Sequence, residues 1–239
     1  MSVISDAIKD YKYKTELHTH TMPVSKCAHV TAEDMIELYA KNGVDAVVIT
    51  NHYNEFSTFP KHGRCLSAND FLDDYYKAYE KGKTLGVNVI LGIEVRFTEN
   101  INDYLVYGVE PDDVERFARY FDKGIEVFYR ECKTKKNLIL QAHPFRKEMV
   151  LAPLDSIDGI ESINLHADHN GAIGLAAKYA RDNRLIVSGG SDFHKPHHLA
   201  TCLMRTRELP RDSFDVADML RSRDYFFDIS GSYLFPYEY

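Results

Sequence analysis

The residues in this chain that could do chemistry recur in one pattern. In order they are His18-Thr19-His20, Thr50-Asn51-His52, Gly92-Ile93-Glu94, Ala142-His143-Pro144 and Ser191-Asp192-Phe193-His194. Side chains two apart on a strand share a face, so His18 and His20 point the same way. Two neutral imidazoles on one rigid edge are half of a tetrahedral or octahedral metal site. Alone, the pair reads equally well as two polar strand-end residues satisfied by backbone. Each later residue has a similar bland reading. Asp192 could cap a turn, His194 could sit on a solvated loop, and Glu94 could pair with Arg96. Seven such residues in order, each just past an apolar run, point to one site.

Those apolar runs must position them. Strands are expected over 13–17, 45–50, 89–97, 104–109, 138–142, 159–164 and 185–188, with further strands over 201–205 and 225–229. Helical spacing covers 31–42, 69–85, 111–136 (broken near Gly124), 170–183 and 213–222. Thr31 is a good N-cap, with Glu33 and Asp34 in the first turn. Alternation of strand and helix argues for a parallel α/β architecture. Ligand-type residues at the C-terminal end of strand after strand favour a closed barrel, where such ends converge on one mouth. No Gly-x-Gly-x-x-Gly follows the first strand to suggest a dinucleotide fold.

The chain has 239 residues and a formal net charge of −7. No linker or repeat divides it, so a single unit over 1–239 is expected, with a core of about 13–205 and a C-terminal helix and strand in 206–239. The acidic balance disfavours a broad nucleic-acid surface, though local patches are not legible in sequence. Four scattered cysteines, no leader pattern at the N-terminus and no membrane-length apolar run fit a cytoplasmic protein without a membrane partner.

The ordered set strongly resembles the PHP family, named for bacterial DNA polymerases and histidinol phosphatases, from Tyr13 to about Arg205. The resemblance implies a distorted seven-stranded (β/α) TIM-like barrel (the PHP fold) binding two or three divalent ions, Mn, Fe or Zn. Carried over residue by residue, His18, His20, Glu94 and Asp192 would hold one ion. Glu94 would bridge to a second that also uses His143. His52 and His194 would hold a third, with one ligand from the first loop. His29 is preferred there, because imidazole suits all three metals; Cys27, whose thiolate would favour zinc, is the alternative. One departure stands out: many relatives carry a fourth-strand histidine where this chain has Leu105. A weaker second site, or a two-ion enzyme, is expected. His62, His166, His169, His197 and His198 are expected to be supporting or surface groups.

The implied activity is hydrolysis of a small phosphorylated substrate through a metal-activated hydroxide, with Asp192 and His194 at the centre. Arg146, just past His143-Pro144-Phe145, can fork onto a phosphate. Lys26, Arg64, Arg96 and Lys195 are further mouth-loop cations that also read as solvated side chains. A single-strand exonuclease of the PHP type and a non-catalytic metal-stabilised module are the competing readings. Composition does not address the oligomeric state.

Overall fold

The computed structural model describes residues 8–55 and 67–237. His62 and Arg64, with most of the loop over 54–68, lie outside the described residues. The strands in order are β1 (Tyr13–Thr19), β2 (Ala46–Ile49), β3 (His52–Tyr53), β4 (Asn88–Leu91), β5 (Ile93–Arg96) and β6 (Asp103–Tyr107). They continue with β7 (Leu138–Gln141), β8 (Gly159–Asn164), β9 (Ile186–Gly190), β10 (Leu203–Thr206), β11 (Phe226–Ile229) and β12 (Ser232–Leu234). The helices are α1 (Ala32–Lys41), α2 (Ala68–Leu85), α3 (Pro111–Ala118), α4 (Gly124–Cys132), α5 (Ile173–Asp182) and α6 (Ser213–Ser222). None is long and apolar enough to cross a membrane.

Local chemistry sets the helix ends. The Thr31 side chain accepts from the Asp34 amide at 3.2 Å to start α1. Ser67 and Asp70 exchange bonds in a capping box that starts α2, and Gly86, at φ 73°, ends it. Met35, Ile36 and Tyr39 put one face of α1 against Val47 and Ile49 of β2. Full burial of such side chains stabilises by about 1.5–3 kcal/mol each.

The strands form two mixed six-stranded sheets, in the orders β12-β11-β10-β1-β2-β4 and β3-β5-β6-β7-β8-β9. Two expected strands are divided. The run 45–50 becomes β2 and β3, and 89–97 becomes β4 and β5, with the break at Gly92. A Cβ at Gly92 would lie 2.8 Å from Val48 Cγ1 and 2.9 Å from Thr50 Cγ2, so the close approach there requires glycine. The Gly92 amide donates to the Ile49 carbonyl at 2.9 Å and the Glu94 amide to the Asn51 carbonyl at 3.2 Å, stitching the sheets together. A second seam joins them where the Phe193 amide donates to the His18 carbonyl at 3.1 Å and the His20 amide to the Phe193 carbonyl at 2.8 Å.

The expectation of an all-parallel arrangement is corrected. β6 runs antiparallel to β5 and β7, and β10, β11 and β12 are also antiparallel to their neighbours. The segment joining β5 to β6 is too short for a crossover, so the chain must turn back as a hairpin. β6 therefore presents its first residue, Asp103, on the edge where its neighbours present their last.

Candidate metal centre

Four side chains converge at the seam. His18 Nε2 lies 3.0 Å from His20 Nε2, 3.3 Å from Glu94 Oε1 and 3.4 Å from Asp192 Oδ1. His20 Nε2 lies 3.3 Å from Glu94 Oε2 and 3.2 Å from Asp192 Oδ1. Metal–ligand bonds of about 2.0–2.1 Å in a tetrahedron place ligand atoms roughly 3.3 Å apart. The donor set therefore fits a divalent cation in both chemistry and spacing.

Neighbouring groups decide which atoms face inward. His18 gives its Nδ1 proton to Glu161 Oε1 at 2.8 Å, which turns Nε2 inward. Ser25 Oγ donates to Asn51 Oδ1 at 2.8 Å, so it accepts the Nδ1 proton of His20 at 3.2 Å. Nδ1 of His194 donates to the Asp192 carbonyl at 2.9 Å. The Oδ2 of Asp192 takes a short bond from Arg146 Nη2 and a longer one from Asn164 Nδ2 at 3.3 Å, which leaves Oδ1 for the centre. Neither oxygen of Glu94 meets a donor in hydrogen-bond geometry among the described residues, although the side chain is fully buried. Its oxygens instead face ring nitrogens of His18, His20, His52 and His143. An orphaned buried carboxylate among imidazoles is the environment a cation would satisfy. His143 and Asp192 have φ of 30° and 49°, left-handed backbone that side chains rarely adopt and that clusters at functional sites.

The charges are strongly interdependent. Burial pushes Glu94 up, but His52 and His18 override it and hold it well below the usual carboxylate range. Burial pushes His18 down, and Glu161, Asp192 and Glu94 override it and raise it well above the ordinary value. Burial, reinforced by His52 and His194, holds His20 well below.

Two further donor groups adjoin the first. Nitrogens of His20, His52 and His194 lie within 4.8 Å of one another, as do donor atoms of His52, Glu94 and Asp103. Both loop candidates line the cavity with exposed side chains. Cys27 Sγ sits 3.1 Å from His194 Nε2, and the His29 amide donates to the His194 carbonyl at 2.9 Å. Leu105 is buried and pairs with Glu94 across the β5–β6 ladder, so no donor stands there. Asp103, two residues away on the same face, lies 3.9 Å from His143 Nε2 and is forked by Arg96 at 2.7 and 2.6 Å. Arg96 thus pairs with Asp103 rather than with Glu94.

The cavity over the centre measures about 1450 Å³, and Lys26, Arg96, Arg146, Lys147 and Lys195 contribute to its lining. Arg146 is only 15% exposed, and its Nε has no hydrogen-bond partner among the described residues. Asp168 ties the loops after β8 and β9 together through Lys195 at 3.0 Å, His197 at 3.3 Å and His198 at 3.4 Å. Nδ1 of His198 accepts the His194 amide at 3.2 Å, so its Nε2 carries a proton for Asp168. That trio is therefore a hydrogen-bonded clamp. His166 and His169 line the cavity. His166 Nδ1 accepts the Asp168 amide at 3.1 Å. Sequence reasoning missed Glu161 and Asp103.

The PHP domain family model matches residues 16–208, which spans every donor described above. The chain belongs to the PHP family. A PolC-type DNA polymerase III from Oceanobacillus iheyensis is 26% identical over 223 residues, covering 91% of this PHP chain but only 12% of the polymerase. A two-domain protein from Bacteroides vulgatus, described as containing a predicted PHP-like metal-dependent phosphoesterase, superposes with a TM-score of 0.67 at 18% identity. The match covers 91% of this chain and 64% of that one. PsfC from Pseudomonas syringae gives a TM-score of 0.57 at 15% identity over 81% of each chain. At these identities the structural likenesses establish the fold, and they place this PHP chain among mixed α/β proteins.

Proposed function

We propose that this chain is a metal-dependent phosphoesterase acting on a small phosphorylated substrate. The observation that carries the reading is the spacing of His18 Nε2, His20 Nε2, Glu94 and Asp192, five pairs of donor atoms between 3.0 and 3.4 Å apart. Those four residues would hold one ion. His52 and His194, with Cys27 rather than His29, would hold another, and Glu94, His143 and Asp103 outline a third position. The stitching at both sheet seams supports reading the strands as one distorted seven-stranded barrel, with all three positions at its mouth. Mn, Fe and Zn all suit imidazole and carboxylate donors; a thiolate at the outer position favours zinc.

Divalent cations bound there would supply an activated water and neutralise charge developing on the phosphoryl oxygens. The protein's own groups do the rest. Arg146 lines the cavity and would offer its guanidinium to a phosphate oxygen while its Nη2 stays on Asp192, so one side chain would position substrate and metal ligand together. Lys26, Lys147 and Lys195 line the cavity and would raise the local concentration of an anionic substrate. His194 would serve as a ligand, with Nδ1 committed to the Asp192 carbonyl, so proton delivery to a leaving group would fall to another donor. His166 lines the cavity with Nδ1 already accepting, which leaves Nε2 as a ring N–H.

The match to a polymerase favours a second reading, a nuclease of the PHP type. The same experiment separates the two. Phosphomonoesters, phosphodiesters and single-stranded DNA are offered with Mn²⁺, Fe²⁺ and Zn²⁺. Chelator-sensitive turnover of a phosphomonoester supports the leading reading. Turnover confined to DNA supports the nuclease, and no turnover with any metal leaves a binding module. We further take the chain to act as a single unit in the cytoplasm without a membrane partner.

A further inference from the structure

We propose that Arg96 supplies, at the corner formed by Glu94, Asp103 and His143, the positive charge that a third divalent cation would bring, so that the chain retains two cations. This rests on the metal-centre reading above and deepens it.

The Arg96 fork engages both oxygens of Asp103, through Nε at 2.7 Å and Nη2 at 2.6 Å. Asp103 is 2% exposed and Arg96 is 38% exposed, so the carboxylate is held inside while the guanidinium closes over it from the cavity side. The ladder offers no alternative donor, because the residue opposite Glu94 is Leu105. A cation at this corner would need Asp103. Asp103 Oδ2 lies 3.9 Å from His143 Nε2, which lies 3.4 Å from Glu94 Oε1. A dication among these three atoms would stand within a few ångströms of a guanidinium in a largely buried setting, where like charges are poorly screened. It would also compete for lone pairs that Arg96 already uses. With Arg96 in place the buried carboxylate has a paired charge and two hydrogen bonds, which is what its burial requires.

The opposite role for Arg96 is that of an outer support that aims Asp103 at a third cation. The two roles predict opposite responses to mutation. The full chain is loaded with Mn²⁺, freed of excess by gel filtration, and its metal content per chain is measured by mass spectrometry. Wild type is expected to retain two ions, Arg96→Gln three, and Arg96→Lys two, because lysine keeps the charge. A wild-type count of three, an Arg96→Gln count of two or fewer, or an Arg96→Lys count of three overturns the proposal. The wild-type count alone suffices should the glutamine variant fail to fold. Wild type that retains no metal overturns the metal-centre reading itself, and phosphoester turnover is read in a separate assay.

Discussion

Glu161 Oε1 lies 2.8 Å from Nδ1 of His18, and both side chains are buried. The same carboxylate accepts the His143 amide at 3.2 Å and Asn164 Nδ2 at 2.8 Å through its other oxygen. One mid-strand acid on β8 thereby fixes the ring of one candidate ligand and the backbone of another. Glu161→Ala should weaken metal binding by about 10–100-fold, the usual consequence of losing a carboxylate behind a ligating histidine. A competition titration against a chelator measures this. Unchanged affinity would show that the ring needs no such partner.

Arg146 joins Asp192 to Asn164, the latter at 2.7 Å, and lines the cavity. Arg146→Ala should lower kcat/KM for a phosphoester by about 10–100-fold, as expected for a lost charge-assisted hydrogen bond of about 1.5–3 kcal/mol. Arg146→Lys should recover only part of it, since an ammonium keeps the charge but lacks the further planar N–H donors that would face a phosphate. Steady-state kinetics on the active substrate decide; a variant with wild-type kinetics removes Arg146 from the site.

Burial pushes the Cys27 thiol up, but hydrogen bonds with His194 and His52 outweigh it and bring the group down to about 6. The thiolate is the nucleophile, so a lowered pKa means that the reactive form already dominates at pH 7. In metal-free protein, alkylation of Cys27 should rise through pH 6 and level off near neutrality, well before an ordinary thiol at about 8.5. The rate is taken as the difference from Cys27→Ser. Added Zn²⁺ should slow it. A midpoint at the ordinary value would mean that the cysteine does not meet these histidines in solution.

A Cβ on Gly190 would lie 2.6 Å from the Cβ of His18 and 3.1 Å from its amide nitrogen. Gly190→Ala must push β1 away from β9 and should cost about 1–3 kcal/mol of stability, as overpacking does. Thermal unfolding measures the loss. A Tm equal to wild type would mean that the seam is looser than these distances.

Much of the site can be read before folding, and the reasons are local. His-x-His shares a face through the period of a strand, and it and Asp-x-His each follow an apolar run, so the sequence places them at one edge. Glu161 is different. Its partner His18 is far away along the chain, and nothing in Gly159–Asn164 distinguishes a supporting acid from a misplaced one. Asp103 was obscured by direction: the run Asp-Tyr-Leu-Val-Tyr looks the same whichever way the strand points, and only the short return from β5 brings its first residue to the mouth. Cys27 and His29 stand two apart on one loop, and residue types do not encode which side chain approaches His194; the sulfur's 3.1 Å approach follows from the path of the backbone. The all-parallel expectation failed for the same reason as Asp103, since apolar alternation carries no sense of direction.

The seam between His18, His20 and Phe193 also joins two segments that lie far apart along the chain. Donors on both sides of it mean that a bound ion would act as a cross-link between distant segments, adding its binding free energy to the stability of the fold. Metal occupancy would then be recorded by the protein's own opening motions. Deuterium uptake at the amides of His20 and Phe193 should slow as free metal rises, with no substrate present, and the concentration at which it slows would report the affinity of the centre.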